Sequence, residues 1–327
     1  MNGTMHLLRT LERGLFYGDS DLSSIQFDGY EKLLTDNAPA NNIIDLRGQP
    51  LSEDILTDAC LTAQDAPNYG QITHCYLNPK LKADLVKTFF PKERHNTYSD
   101  KNGIIGNDIR GFTSPAGDVS FEPDVFITDG GTAPTAAVGD AAKRPGTPTI
   151  STAATTPVSA LSQFAAADAG NYWYTVVACN RYGKSTGVSV GGGAVVAVAA
   201  GDEMTFGVTP GGATSVEYYE IYRTAVGGAT GTERQILRVA NSTGALEETL
   251  HDYNAFLPFC SSVFLFQQNL ESMSFKQLAP MVKIPLATID TSIRWTQLIY
   301  GTPVLYTPGK NVLLTNVGRA SGYVGEV

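Results

Sequence analysis

The sequence predicts an α+β chain in which a base of mixed helices and strands, built from both ends, is interrupted by an all-β segment. Three observations lead there. Helix-like and strand-like runs alternate through the first third of the chain. From about Arg144 to Leu257 there are only short β-like runs separated by glycine-rich turns, which is the spacing of a sandwich. After Pro258 the mixed character returns in a stretch too short to bury its own core, so it is expected to complete the sheet begun at the N-terminus. The expected division is residues 1–140 and 258–327 for the base and residues 144–257 for the inserted sandwich.

The elements follow in order. Leu7, Leu8, Leu11 and Leu15 recur at helical spacing, and Gly18 stands where a left-handed C-cap belongs, so Met5 to Tyr17 reads as an amphipathic helix. Ser52 is an N-cap before Glu53 and Asp54, with Ile55, Leu56, Ala59, Cys60 and Ala63 as the buried stripe and Pro67 beyond the end. "QITHCYLN" is a strand, and Asn78-Pro79 caps a helix with Leu81, Leu85 and Phe89 facing inward. "DVSFEPDVFI" is the next strand. In the central segment, "NYWYTVVACN" alternates so that Tyr172, Tyr174, Val176 and Ala178 share one face, with Trp173, Thr175, Val177 and Cys179 on the other. Both faces suit burial, which places this strand in the middle of a sheet. "EMTFGVTP", "SVEYYEIYRT", "RQILRVA" and "EETLHDY" are its companions. Beyond them come "SSVFLFQQ", "MSFKQLAPMVKIPLA" and "IRWTQLIYGTPVLYTPGKNVLLTNVG", the last read as two strands punctuated by Gly-Thr-Pro and Thr-Pro-Gly-Lys.

Composition limits the function. Of 327 residues, 43% are hydrophobic and only 17% charged, with 33 glycines and 17 prolines, the balance of a β-rich globular chain. A net charge of −9 without basic clusters argues against sequence-specific nucleic-acid binding and against an anionic membrane surface. No apolar run approaches the ~20 residues of a bilayer crossing. Arg9, Glu12 and Arg13 interrupt any signal-peptide core, so a cytosolic origin is expected. Cys60, Cys75, Cys179 and Cys260 lack metal or redox spacing and read as small buried hydrophobes.

Two resemblances add to this reading. "NYWYTVVACNRYGKS" and "YYEIYRT" are similar to strands of fibronectin type III and related immunoglobulin-like domains. Their order here is the reverse of that family's, so both a permuted and an analogous strand order fit. The flanking segments resemble a tailed-bacteriophage major capsid protein: "LERGLFYGD" with "FDGYEKLL", "NIIDLRGQPLSEDILTDA", "YLNPKLKADLVKTFFPKER", "GFTSPAGDVSFEP", and "KIPLATID" with "YGTPVLYTPGKNVLLTNVG". That resemblance implies a capsid fold with peripheral and axial domains, and an icosahedral shell of pentamers and hexamers enclosing the genome. It further implies a virion protein, assembled in the bacterial host cytoplasm, whose partners are copies of itself and other virion proteins, with no cofactor and no enzymatic activity. The family's N-terminal arm and extended loop are not recognisable, the chain starting within what resembles the last turns of the spine helix.

Catalytic patterns are sparse. Gly187-Val188-Ser189-Val190-Gly191 has the spacing of a hydrolase nucleophile elbow, but glycines and a β-branched run follow where a helix is required, so a sandwich loop is expected. His6, His74, His95 and His251 have no second ligand at metal spacing. Glu53-Asp54 reads as a helix's first turn and Glu247-Glu248 as a solvated strand edge. The alternative function is a surface-binding module recognising host-cell or glycan ligands, with Trp173, Tyr182, Tyr218 and Tyr219 as insert contacts.

Overall fold

The computed structural model describes residues 3–89, 109–157, 159–286 and 295–320. Among these residues the helices are α1 (Gly3–Tyr17), α2 (Tyr30–Asn37), α3 (Glu53–Gln64) and α4 (Pro79–Phe89). The strands before the central segment are β1 (Ile43–Asp45), β2 (His74–Leu77), β3 (Gly111–Ser114) and β4 (Gly117–Pro123). The central strands are β5 (Val138–Gly139), β6 (Gly146–Thr156), β7 (Gly170–Tyr172), β8 (Tyr174–Asn180), β9 (Gly183–Lys184), β10 (Val188–Ser189), β11 (Val196–Val198), β12 (Glu203–Gly211), β13 (Tyr218–Arg223), β14 (Arg234–Ala240) and β15 (Glu248–Asp252). The last four are β16 (Ser261–Phe266), β17 (Met273–Pro285), β18 (Trp295–Leu305) and β19 (Val312–Val317).

The base is one sheet in the order β1-β19-β16-β2-β4-β3, with the C-terminal strands β19 and β16 inserted between the N-terminal strands β1 and β2. β1 runs parallel to β19 and β2 parallel to β4; the remaining pairs are antiparallel. Both faces are covered. Val263 and Leu265 of β16 point into a core with Leu56, Ala59 and Cys60 of α3 and Leu81 and Leu85 of α4. Phe264 and Phe266, one residue out of step, join Phe16 of α1 and Tyr30 and Leu34 of α2 on the other side. This is why "SSVFLF" reads as an unbroken apolar run rather than an alternating one. The caps behave as their chemistry dictates: Ser52 Oγ accepts from the Ile55 amide at 3.3 Å, and Asn78 Oδ1 accepts from the Lys80 amide at 2.9 Å.

The central segment contains no α-helix among its described residues. One sheet has the order β14-β13-β8-β9-β5 with β10 also on β8, and a second has the order β15-β12-β6. Tyr174, Val176, Ala178, Tyr219 and Ile221 of the first meet Met204, Phe206, Val208 and Leu250 of the second in one shared core, which makes the segment a two-layer sandwich. β8 lies inside its sheet, as its two apolar faces predict, with Val177 and Cys179 buried against Tyr222 on the outer side. β5 joins this sheet by pairing with β9, so pairing begins ahead of Arg144.

Several expectations are corrected. Gly18 is not a left-handed cap, since its φ is not positive. It is glycine because a Cβ there would lie 2.6 Å from Gly14 O and collide with Phe27 O, where the chain crosses back at Gly29. Gly301-Thr302-Pro303 is no turn but lies inside β18, paired in order with Gln277, Lys276 and Phe275 of β17. Trp173 separates β7 from β8, its backbone held by the Thr224 hydroxyl and amide at 3.1 Å each. α2 and β6 carried no signal that the pattern reading used.

Candidate functional site

Catalytic chemistry has no assembled home among the described residues. After β10 comes a 3-10 turn with Gly191 at φ 69 and Gly193 at φ 83, not the helix a nucleophile elbow needs. His74 stacks on Tyr76, and His251 stacks on Tyr253 beside Glu203; among the described residues no group of His, Cys, Asp and Glu could hold a metal. His95 lies outside the described residues. All four cysteines are free, and Cys60, Cys75 and Cys179 are buried. Glu248 does more than edge a strand: it accepts from the Ser242 and Thr243 amides at 3.0 Å each and so fixes the turn before β15.

The four aromatics expected to form a contact surface are not brought together. Tyr219 is 0% exposed inside the sandwich core, because its neighbours on β13 alternate outward; it cannot touch a ligand. Tyr218 is half-buried and faces the base. Trp173 and Tyr182 bracket opposite ends of β8, roughly 20 Å apart at ~3.3 Å per residue. Tyr182 is exposed with the Lys143 ammonium over its ring at 5.4 Å.

What the structure does present is an apolar ribbon. β17 and β18 form a two-stranded sheet that pairs with no other strand among the described residues. Val282 faces Leu298 and Ile284 faces Thr296 across the ladder, while on the opposite side the Lys283 ammonium lies 4.5 Å from the Trp295 ring centre. Leu278 is 88% exposed, and Met281, Val282, Ile284, Leu286 and Tyr300 are also open to solvent. A lone two-stranded ribbon is marginal in water, and one with apolar residues on show is an interaction surface by default. Its strand-like runs were readable in the sequence; its continuity through Gly301-Thr302-Pro303 and its isolation from the other sheets were not.

A second feature lies where the sandwich meets the base. A cleft of about 780 Å³ runs between α1 and α2 on one side and β13 and β14 on the other. Its walls carry charge. Burial raises the Glu31 carboxyl above the ordinary carboxylate range, opposed by the nearby Arg238 charge and a 3.3 Å hydrogen bond from Ser262 Oγ. Lys184 Nζ grips both oxygens of the buried Glu220, at 2.8 and 2.6 Å, and the Tyr222 hydroxyl donates to the same carboxylate at 2.7 Å. Cys260 also lines the cleft, its thiol pushed up to about 12 by burial first and then by the Asp45 charge. Two contacts close one end: Ser23 Oγ donates to Glu217 at 2.6 Å and Arg238 to the Tyr17 carbonyl at 2.8 Å.

No family model matches the chain. It is homologous to phage major capsid proteins over nearly its whole length. It is 26% identical to the major capsid protein of Staphylococcus phage K and to that of Staphylococcus phage S25-3, covering 94% of this chain and 66% of each relative. It is 27% identical, with the same coverage, to a protein of Enterococcus phage phiEF24C provisionally named a major capsid protein. The chain thus spans just under two thirds of the length of these relatives, whose names denote structural proteins rather than enzymes. A solved encapsulin complex from Synechococcus elongatus PCC 7942 aligns with 98% of this chain and 65% of its own, at 10% identity and a TM-score of 0.33, a likeness too slight to carry weight.

Proposed function

We propose that this chain is a structural subunit of a phage capsid, self-assembling through repeated contacts into an icosahedral shell of pentamers and hexamers around the genome. Residues 1–140 and 258–327 form the shell-building base, and residues 144–257 are an immunoglobulin-like sandwich displayed from it. Partners are copies of the same chain and other virion proteins, and the location is the virion.

The observation that carries this reading is the β17–β18 ribbon, whose apolar side chains find no cover among the described residues. Neighbouring copies supply such cover in a closed, symmetric assembly, each ribbon meeting the next copy's surface. Burying half-exposed Leu, Ile, Val and Met side chains is worth ~1 kcal/mol each, and repetition around a ring multiplies the effect. The similarity to named capsid proteins supports the same role.

The test is sedimentation velocity with negative-stain microscopy on the chain and on a Leu278→Asp/Ile284→Asp double variant. The wild-type chain is expected to form rings, sheets or shells, and the variant to remain a folded monomer with an unchanged circular dichroism spectrum. A wild-type chain that stays monomeric at high concentration, or a variant that assembles equally well, would overturn the reading.

A further inference from the structure

We propose that Arg47 is a latch that sets the orientation of the sandwich on the base, and that its release lets the sandwich swing as a folded unit and opens the cleft beneath it. This concerns the single chain and stands whether or not the chain builds a shell.

The base presents the latch rigidly. Arg47 follows β1 in a left-handed conformation, φ 49, held by its own amide donating to Asp45 Oδ1 at 2.9 Å. Asp45 Oδ1 also accepts from Asn316 Nδ2 at 2.8 Å, at the end of the adjacent β19. Asn316, itself at φ 52, donates to the Ala255 carbonyl and accepts from the Leu257 amide, both at 2.8 Å. The parallel β1–β19 pair therefore grips the returning chain with one side chain and reaches into the sandwich with the other.

The guanidinium spans the gap. Nη1 donates to the Asn254 carbonyl at 2.7 Å and Nη2 to the Gln163 carbonyl at 2.8 Å and to Asp168 Oδ2 at 3.0 Å. Those acceptors are fixed from the sandwich side by a buried network of its own. Arg223, 1% exposed, pairs with Asp252 at 2.6 Å and with Asn254 Oδ1 at 2.6 Å, and lies over the Phe164 and Tyr172 rings at 5.2 and 5.1 Å. Asn254 Nδ2 in turn donates to Asp168 at 3.1 Å. A planar fork thus meets a preorganised set of acceptors, the case in which arginine is not replaceable by a point charge.

Apolar packing does not duplicate this hold. The sandwich core and the two base cores share no residue. Between the Arg47 end and the Ser23–Arg238 end lies the cleft rather than a filled interior. Orientation therefore rests on a small number of polar contacts, each individually weak.

Cys260 is a built-in reporter, because it lines the cleft while Cys60 and Cys75 are sealed in the base core. The experiment measures iodoacetamide modification of each cysteine in the full chain and in Arg47→Ala, resolved by peptide mass spectrometry. The Arg47 charge lowers the Cys260 pKa, so losing it alone makes the thiol less reactive; only opening can speed the reaction. The expected result is at least ~10-fold faster modification of Cys260 with Cys60 and Cys75 still protected, and the same change, smaller, in Asp168→Ala. Unchanged or slower modification of Cys260 overturns the proposal. So does simultaneous exposure of all the cysteines, which would make Arg47 a requirement for folding rather than for orientation.

Discussion

Asp84 is almost fully buried on α4, and accepts from Arg319 Nε at 2.6 Å and Lys87 Nζ at 3.2 Å. Burial alone would raise its pKa; the hydrogen bonds and charges of Arg319 and Lys87 outweigh it and hold the carboxyl below its ordinary value. A depressed carboxylate stabilises the fold above its unfolded pKa, ~4, and loses that contribution as pH falls through the folded value. Asp84→Asn is therefore expected to cost about 1–3 kcal/mol at pH 7 and less near pH 3. Urea melts at the two pH values decide it, an equal loss at both ruling out the ionic contribution. At this scale the sequence was only partly legible. Ser52 and Asn78-Pro79 announce their caps locally, whereas Asp84 finds Arg319, and Arg47 finds Asp168, across separations that no spacing rule encodes.

At the scale of elements, the crossing of α1 and α2 shows how a correct residue can be read for the wrong reason. Gly18 was legible as a helix end, and α1 does stop at Tyr17. Its cause is contact, because the Gly29 amide donates to Gly18 O at 2.8 Å and a Cβ on Gly29 would lie 2.6 Å from Gly18 N. The two explanations separate experimentally. A left-handed cap tolerates asparagine, so Gly18→Asn would be nearly neutral where Gly18→Ala is not. Close backbone approach makes both substitutions destabilising, by about 1–3 kcal/mol or more. Equilibrium denaturation of the two variants measures this, and a stable Asn variant would restore the cap. The same logic explains β18: Gly301 looked like turn punctuation, yet it makes room for the Phe275 ring beside it. Strands with covered faces, such as β8 and β16, were readable because their residues record both neighbours; α2, two turns long, has too little pattern to register.

For the whole molecule, the division into base and sandwich follows from where the chain crosses between them. The Phe259 amide donates to the Gly130 carbonyl at 3.0 Å, and Ser261 Oγ to the Thr128 carbonyl at 2.6 Å, so the outgoing and returning strands run side by side. Ends this close can be joined directly. Replacing residues 131–258 by a four-residue Gly/Ser linker shortens the loop by about five doublings, which lowers the closure cost by at most about 3 kcal/mol. A folded sandwich already holds its ends together, so the gain is smaller than that bound. Against it stand the lost bonds of Arg47 and Asn316 to the sandwich and the returning chain, each worth about 1 kcal/mol. Those bonds, at least five, outweigh the gain by about 2 kcal/mol or more, but the base keeps both of its apolar cores intact. The linked base is therefore expected to be soluble, to retain the helical signal of α1 to α4, and to unfold in a single cooperative transition. A collapsed or aggregated product would mean that the sandwich is part of the base's own folding unit, and the boundary would have to be redrawn to include the cleft walls.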